Sequence, residues 1–241
     1  MSREPKAPIW ARDEPRSRGP RSSLSRAQIV KVALKVADEE GLDAVSMRRL
    51  AQELRSGAMS LYHYFDSREE LLDLMSDTVA AEMLVPGEMP VDWREALRAV
   101  AQHSRAAFLA HPWMLTTLQD RPRVSPNLLR HVEQSARTVL SLGEAGVAPH
   151  LLSGIVTAVD DYTIGYTLRE LAAGGSDDER GRRIAARFAE SYNDPHVRYL
   201  LESGEFPLLS SFIARGEPIA MQSFEVGLEW LLDGFAAELD R

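Results

Sequence analysis

The chain has 241 residues and no cysteine. Disulfides, thiolate metal sites and cysteine nucleophiles are therefore excluded at the outset. Aromatic residues are sparse, at 7%, so a place where they cluster carries information. No stretch approaches the roughly 18 consecutive apolar residues that a membrane-spanning helix needs. The first residues are charged and proline-rich and lack an apolar h-region, so no secretory signal is expected and the cytoplasm is the default location. The apolar–polar alternation of half-buried strands is missing beyond short accidents, and so are internal repeats. Helical periodicity remains, in a chain long enough for a small domain joined to a larger one. The expected fold class is all-α.

The most informative stretch is Ser46 to Phe65, SMRRLAQELRSGAMSLYHYF. Ser46 is placed to cap a short helix, and Val45 with Leu50 to close a hydrophobic staple across its start. Leu50, Ala51 and Leu54 form the inner face, and small Ala51 lets a second helix cross closely. Arg55-Ser56-Gly57 interrupts the pattern, with Gly57 the residue expected to supply unusual backbone angles. A second helix starts near Ala58. Ala58, Leu61 and Phe65 share its buried face, which leaves Met59, Ser60, Tyr62, His63 and Tyr64 at the rim or outside. A short helix that exposes three rings is built to touch something other than water.

The net charge of −8 looks unfavourable for nucleic acid. Divided at residue 73, however, the N-terminal part carries 13 Lys+Arg against 12 Asp+Glu, and the acidity lies in the remainder. DNA affinity needs a local basic footprint, not a basic total. Residues 1–23 are rich in Arg, Pro and Ser and read as a disordered basic arm, either merely solvated or tracking DNA phosphates.

Capping-box spacing of Ser25 with Gln28 opens the first helix, whose apolar stripe is Ile29, Val32, Ala33, Val36 and Ala37; Gly41 stops it. Ser67 with Glu70 repeats the box before a fourth helix, Arg68 to about Met83, with core residues Leu71, Leu72, Met75 and Val79. The Pro- and Gly-containing segment 84–90 is the clearest boundary beyond it. Helices follow at Trp93 to Ala110, Pro126 to Leu142, Leu151 to Ala173 and Ile219 to Leu239, with a less regular region from Arg180 to Arg215. The second of these has the stripe Leu128, Val132, Ala136, Val139 and Leu140. The domain organisation expected is an arm over 1–23, a helix-turn-helix domain over 24–70, and a ligand-binding and dimerisation domain over 71–241.

On Ile29 to Gly41, Ser46 to Leu54 and MSLYHYFDSREELL from Met59, the chain resembles the DNA-binding domain of the tetracycline-repressor (TetR) family. It departs at Arg55 and Ser56, where the family usually has glycine and an apolar residue. The region from Asp92 onward resembles the regulatory domain of the tetracycline repressor's own branch, on Asp92 to Leu97, Ala110-His111-Pro112-Trp113 and the segment Phe224 to Gly234. The two resemblances imply an all-α homodimer with a three-helix helix-turn-helix domain and a larger helical bundle, a regulator, normally a repressor, that releases a near-palindromic operator when a small molecule binds. The drug and magnesium ligands of the tetracycline repressor itself do not align, so no metal or other cofactor is expected.

Candidate DNA contacts are Ser46, Arg48, Arg49, Gly57, Ala58, Met59, Ser60, Tyr62, His63, Tyr64 and Arg68. Arginine suits guanine edges or phosphates, hydroxyls suit phosphates, and Met59 with the His63 ring suits a thymine methyl. The bland alternative for the Tyr-His-Tyr run is core packing. Candidate ligand-cavity residues are His103, Phe108, Trp113, Met114, Thr117, Leu118, Val139, Val159, Asp161, Tyr162 and Tyr166, an apolar wall with sparse polar points. The alternative there is a solid core. The histidines follow no zinc spacing, and no nucleophile–base–orienter set stands out, so an enzyme is not expected. The competing function is an all-α enzyme or protein-partner module with a merely structural N-terminal motif. Activation in place of repression is not separable by sequence.

Overall fold

The computed structural model describes residues 7–15, 24–120, 124–173, 182–183, 186–187, 190–191, 193–214 and 222–240. Among them the regular structure is helical throughout. It divides into two compact units, Met1–Ile164 and Gly165–Arg241.

In the first unit, α1 (Arg26–Glu40), α2 (Met47–Glu53) and α3 (Ala58–Leu61) form the head, and α4 (Arg68–Glu82) leads out of it. The Ser25–Gln28 capping box is complete, with each side chain accepting from the other residue's backbone N–H. At α4 the box is displaced by one residue. Ser67 Oγ accepts from Glu70 N at 3.4 Å, but Glu70 Oε2 accepts from Asp66 N at 2.7 Å. The expected α4 core residues Leu71, Leu72, Met75 and Val79 are all buried. In α1, Val30 is buried where Val32 was expected to be.

Then come α5 (Trp93–Ala110), α6 (Trp113–Asp120), α7 (Pro126–Thr138), α8 (Leu140–Glu144) and α9 (Pro149–Ala173), which crosses into the second unit. The single helix expected from Pro126 to Leu142 is thus two, divided at Val139. α4 packs against α1 and also against α5, α6 and α7. α5 buries the apolar face read from its sequence, Ala96, Leu97, Val100, Ala107 and Phe108.

α7 does the opposite. Its buried residues are His131, Ser135 and Thr138, whereas Val132 is 56% exposed and Leu140, just beyond it, 57%. The cause is polar anchoring. Asn127 donates to Asp77 of α4, and Gln134 exchanges two 2.9 Å hydrogen bonds with the backbone of Val85. Those bonds fix the rotation of the helix and turn Val132, Ala136 and Leu140 of the predicted stripe outward, while Val139 is buried and Leu128 half-buried.

The second unit holds the end of α9 with α10 (Pro195–Glu202), α11 (Pro207–Ala214) and α12 (Phe224–Leu239). Tyr166 stacks edge-on against Phe224 and donates to the Gln222 carbonyl at 2.9 Å. Phe224, Leu228 and Leu232 are buried, while Val226 and Trp230 face outward.

The N-terminal arm needs correction. Residues 7–15 fold onto the head: Ile9–Ala11 forms a 3-10 turn packed on α4, and Ile9 is buried. Arg12 pairs with Asp66 at 2.8 Å and with Glu70, and the Arg26 guanidinium donates to the Arg12 carbonyl at 2.6 Å. The composition of the whole arm concealed a short segment, Ile9-Trp10, with enough apolar surface to dock. The remainder of the expected basic arm, 1–6 and 16–23, lies outside the described residues.

Candidate functional site

The turn between α2 and α3 departs from expectation in a definite way. Arg55 has φ +49°, whereas Gly57 sits at an ordinary φ of −78°. Ser56 N donates to Ala51 O at 2.9 Å and Arg55 N to Gln52 O at 3.2 Å. This is a Schellman motif with arginine in its left-handed position. The strain is on the order of 1 kcal/mol, and the closed turn holds α3 at a fixed angle to α2. Val45 and Leu50 are fully buried at the α2 start, and Ser46 Oγ accepts from Arg49 N at 3.2 Å.

α3 is anchored from below by Leu61 and Phe65. Met59 is 80% and Tyr62 49% exposed, and Ser60 and His63 are also exposed. Gly57 is exposed at the α3 start, next to half-buried Ala58. Arg48 projects from the first turn of α2, exposed. These residues are open to solvent on the head.

Three expected members of that surface are placed otherwise. Tyr64 is 8% exposed and belongs to the core, with the His63 ring edge-on to it. The chain tightens after Leu61, with His63 N to Ser60 O and Tyr64 N to Leu61 O bonds, and that tightening turns Tyr64 inward. Arg49 is clamped by Glu40 and Glu53, each at 2.6 Å. Its hydrogen bonds to these carboxylates raise its pKa further, and the same contact holds Glu40 below the usual carboxylate range. Arg68 reaches back to the carbonyls of Val45 at 2.6 Å and Leu42 at 2.7 Å, tying α4 to the segment before α2. No spacing rule distinguishes an arginine that binds backbone carbonyls from one that binds phosphates.

The expected cavity residues do not line one space. Met114, Thr117 and Leu118 face a small void of about 20 Å³ against α4, with Trp10 and Ser76 across from them. Phe108 and Val159 are packed core, and the His103 ring bonds the Ala99 carbonyl at 2.9 Å. Asp161 is exposed, Tyr162 half-buried, and Tyr166 belongs to the second unit. Trp113 donates its indole N–H to Asp38 of α1 at 2.8 Å, so it joins body to head and does not line a cavity. His111 is beside it, with Nδ1 2.8 Å from Asp38 and Nε2 3.2 Å from Glu82 of α4. The pair His111-Trp113 thereby ties the α5–α6 corner to both α1 and α4.

A larger cavity, about 370 Å³, lies between α7–α8 and α9. Val139 alone of the expected set lines it. Its apolar wall includes Val132, Ala136, Leu140, Leu152 and Val156, and its polar points include His131, Ser135 and Asp160. The outward residues of α7 therefore line this cavity. The signal missed in the sequence was polar His131, Ser135 and Thr138 at helical spacing, which mark the attached face.

A four-residue helix and the turn after it, with Met59, Tyr62 and His63 exposed, braced by a capped helix and joined through α4 to a helical body, define a helix-turn-helix transcriptional regulator. The chain belongs to the tetR family of bacterial regulatory proteins. Residues 29–75 match "Bacterial regulatory proteins, tetR family" and residues 85–239 match "Tetracyclin repressor-like, C-terminal domain". The HTH-type transcriptional repressor DrrR1 of Streptomyces coeruleorubidus is 34% identical over 233 residues, which cover 94% of this chain and 82% of that one. An HTH-type transcriptional regulator of Saccharopolyspora erythraea is 32% identical, covering 95% of this chain and 91% of its own. Among solved structures, ActR of Streptomyces coelicolor in complex with actinorhodin is 29% identical, with a TM-score of 0.69, and the match covers 91% of this chain and all (100%) of ActR. Among the described residues no helix is long and apolar enough to cross a membrane.

Proposed function

We propose that this protein acts in the cytoplasm as a homodimeric repressor that binds a near-palindromic double-stranded DNA operator and lets go when a small organic molecule binds its body. The observation that carries the DNA contact is the exposed Met59–His63 surface on a rigidly closed turn. Tyr62, Ser60 and Arg48 engage phosphates, and Met59 and His63 meet base edges. Ser46, Gly57 and Ala58 bring backbone close to the duplex. Arg49, Tyr64 and Arg68 brace the domain from within.

Two heads must reach major-groove faces roughly 34–36 Å apart, which calls for a two-fold dimer. Exposed Val226 and Trp230 on α12 and Leu168 near the end of α9, all in the second unit, offer the apolar surface for it. Coupling runs through α4, which is held by Asp77 to α7 and by Glu82 to His111. A ligand that shifts α7 or the α5–α6 corner shifts the head, and DNA weakens the ligand by the same factor. That ActR is found with actinorhodin supports a small organic ligand.

The test begins with a duplex selected from a random-sequence pool by the wild-type protein. Tyr62→Ala/His63→Ala is expected to lose most of its affinity for that duplex, measured by fluorescence anisotropy. Unchanged affinity would remove α3 from the interface.

A further inference from the structure

The cavity between α7 and α9 carries more chemical information than its size. At about 370 Å³ it suits a small organic molecule. Two of the polar side chains in its wall are nearly fully buried, and each has an atom without a hydrogen-bond partner: His131 Nδ1 and Ser135 Oγ. Buried polar atoms in native proteins are normally satisfied, but neither of these two has accessible surface of its own, so neither meets a ligand directly. Asp160 stands in the same wall, on α9, and the described lining includes no Lys or Arg. Arg137 of α7 is occupied with Glu133 at 2.8 Å. Asp161 follows directly in the chain and adds a second negative charge. Burial lowers the pKa of His131, so it offers no positive charge near neutral pH.

We propose that this cavity takes a cationic amphiphile, an apolar ring system carrying a protonated amine, with the amine against Asp160 and the rings against Val132, Leu140 and Val156. This rests on the reading of the protein as ligand-responsive. Burial, and then the charge of Asp161, push the Asp160 carboxyl up to about 6. The carboxylate is therefore under-compensated in the free protein, and a cation relieves that. An anionic ligand meets the opposite field and is excluded by charge.

Calorimetric titration of the full chain tests this with two probes that share a naphthalene ring. Propranolol carries a protonated amine and naproxen a carboxylate. Propranolol is expected to bind about tenfold or more tightly than naproxen, and Asp160→Asn to erase that preference. Val156→Trp, which fills the cavity, should abolish propranolol binding while circular dichroism stays native. Equal or tighter naproxen binding, no propranolol binding, or a preference that survives Asp160→Asn overturns the assignment of a cation. Propranolol binding that survives Val156→Trp overturns the site. Release of the selected duplex is read separately. Asp160-dependent binding without release sinks the ligand-responsive reading and leaves the site standing. Release by propranolol that is indifferent to Asp160→Asn sinks the site and leaves that reading standing.

Discussion

α5 and α7 are neighbouring helices of one bundle with equally clear apolar stripes, yet they are mounted in opposite senses. α5 sinks its stripe into the core. α7 hangs on α4 by Asn127 and on the segment after α4 by Gln134, buries His131, Ser135 and Thr138, and shows Val132 and Leu140, at the α7–α8 junction, to a cavity. Periodicity identifies a face; it does not say whether that face meets protein or ligand. The decision is made by a few directional hydrogen bonds, each net favourable by about 1 kcal/mol but costly when half of it is removed.

The largest test of this contrast is Phe108→Ala on α5. It opens a void in packed core and should cost about 3–5 kcal/mol, read as a fall in the denaturant midpoint. Asp160→Asn probes the cavity side. A carboxyl whose folded pKa is about 6, raised from 3.8, binds more protons folded than unfolded between those values, so it costs stability as pH rises through them. The variant should gain on the order of 2 kcal/mol at pH near 7.5, and the gain should vanish near pH 4; a gain independent of pH would mean that Asp160 is not desolvated. Gln134→Ala leaves both polar groups of Val85 without their partner and should cost about 1–2 kcal/mol. If it proves silent, the polar mounting of α7 is not what sets its rotation. Smallest is Val132→Ser, expected within about 0.5 kcal/mol of wild type. A loss comparable to Phe108→Ala would show that the α7 stripe is ordinary core, and the contrast would collapse.

The all-α architecture, the caps at Ser25, Ser46 and Ser67 and the buried faces of α4 and α5 were legible because local rules determine them. Exposure of Met59 and Tyr62 was legible from the same helical wheel. What escaped depended on contacts distant in sequence. Arg49 and Arg68 look like DNA contacts until Glu40 and the Val45 carbonyl are seen beside them. Tyr64 turns inward because the chain tightens after Leu61, which no periodicity reports. Arg55 adopts a glycine-like angle because the Schellman bonds of α2 require one there, whichever residue is present. The cavity set was assembled from large apolar residues, and large apolar residues on α5 are what fill a core.

The docked N-terminal segment also bears on time. Arg12 closes a contact with Asp66 across 54 residues of sequence, and its two acceptors, Asp66 and Glu70, flank the start of α4. Release of the segment breaks two ion pairs at the rim and exposes Ile9, far less than unfolding the head requires. Amides of Ile9–Ala11 should exchange with solvent much sooner than those of α1 beneath them, so the segment keeps a faster clock than the domain it is fastened to.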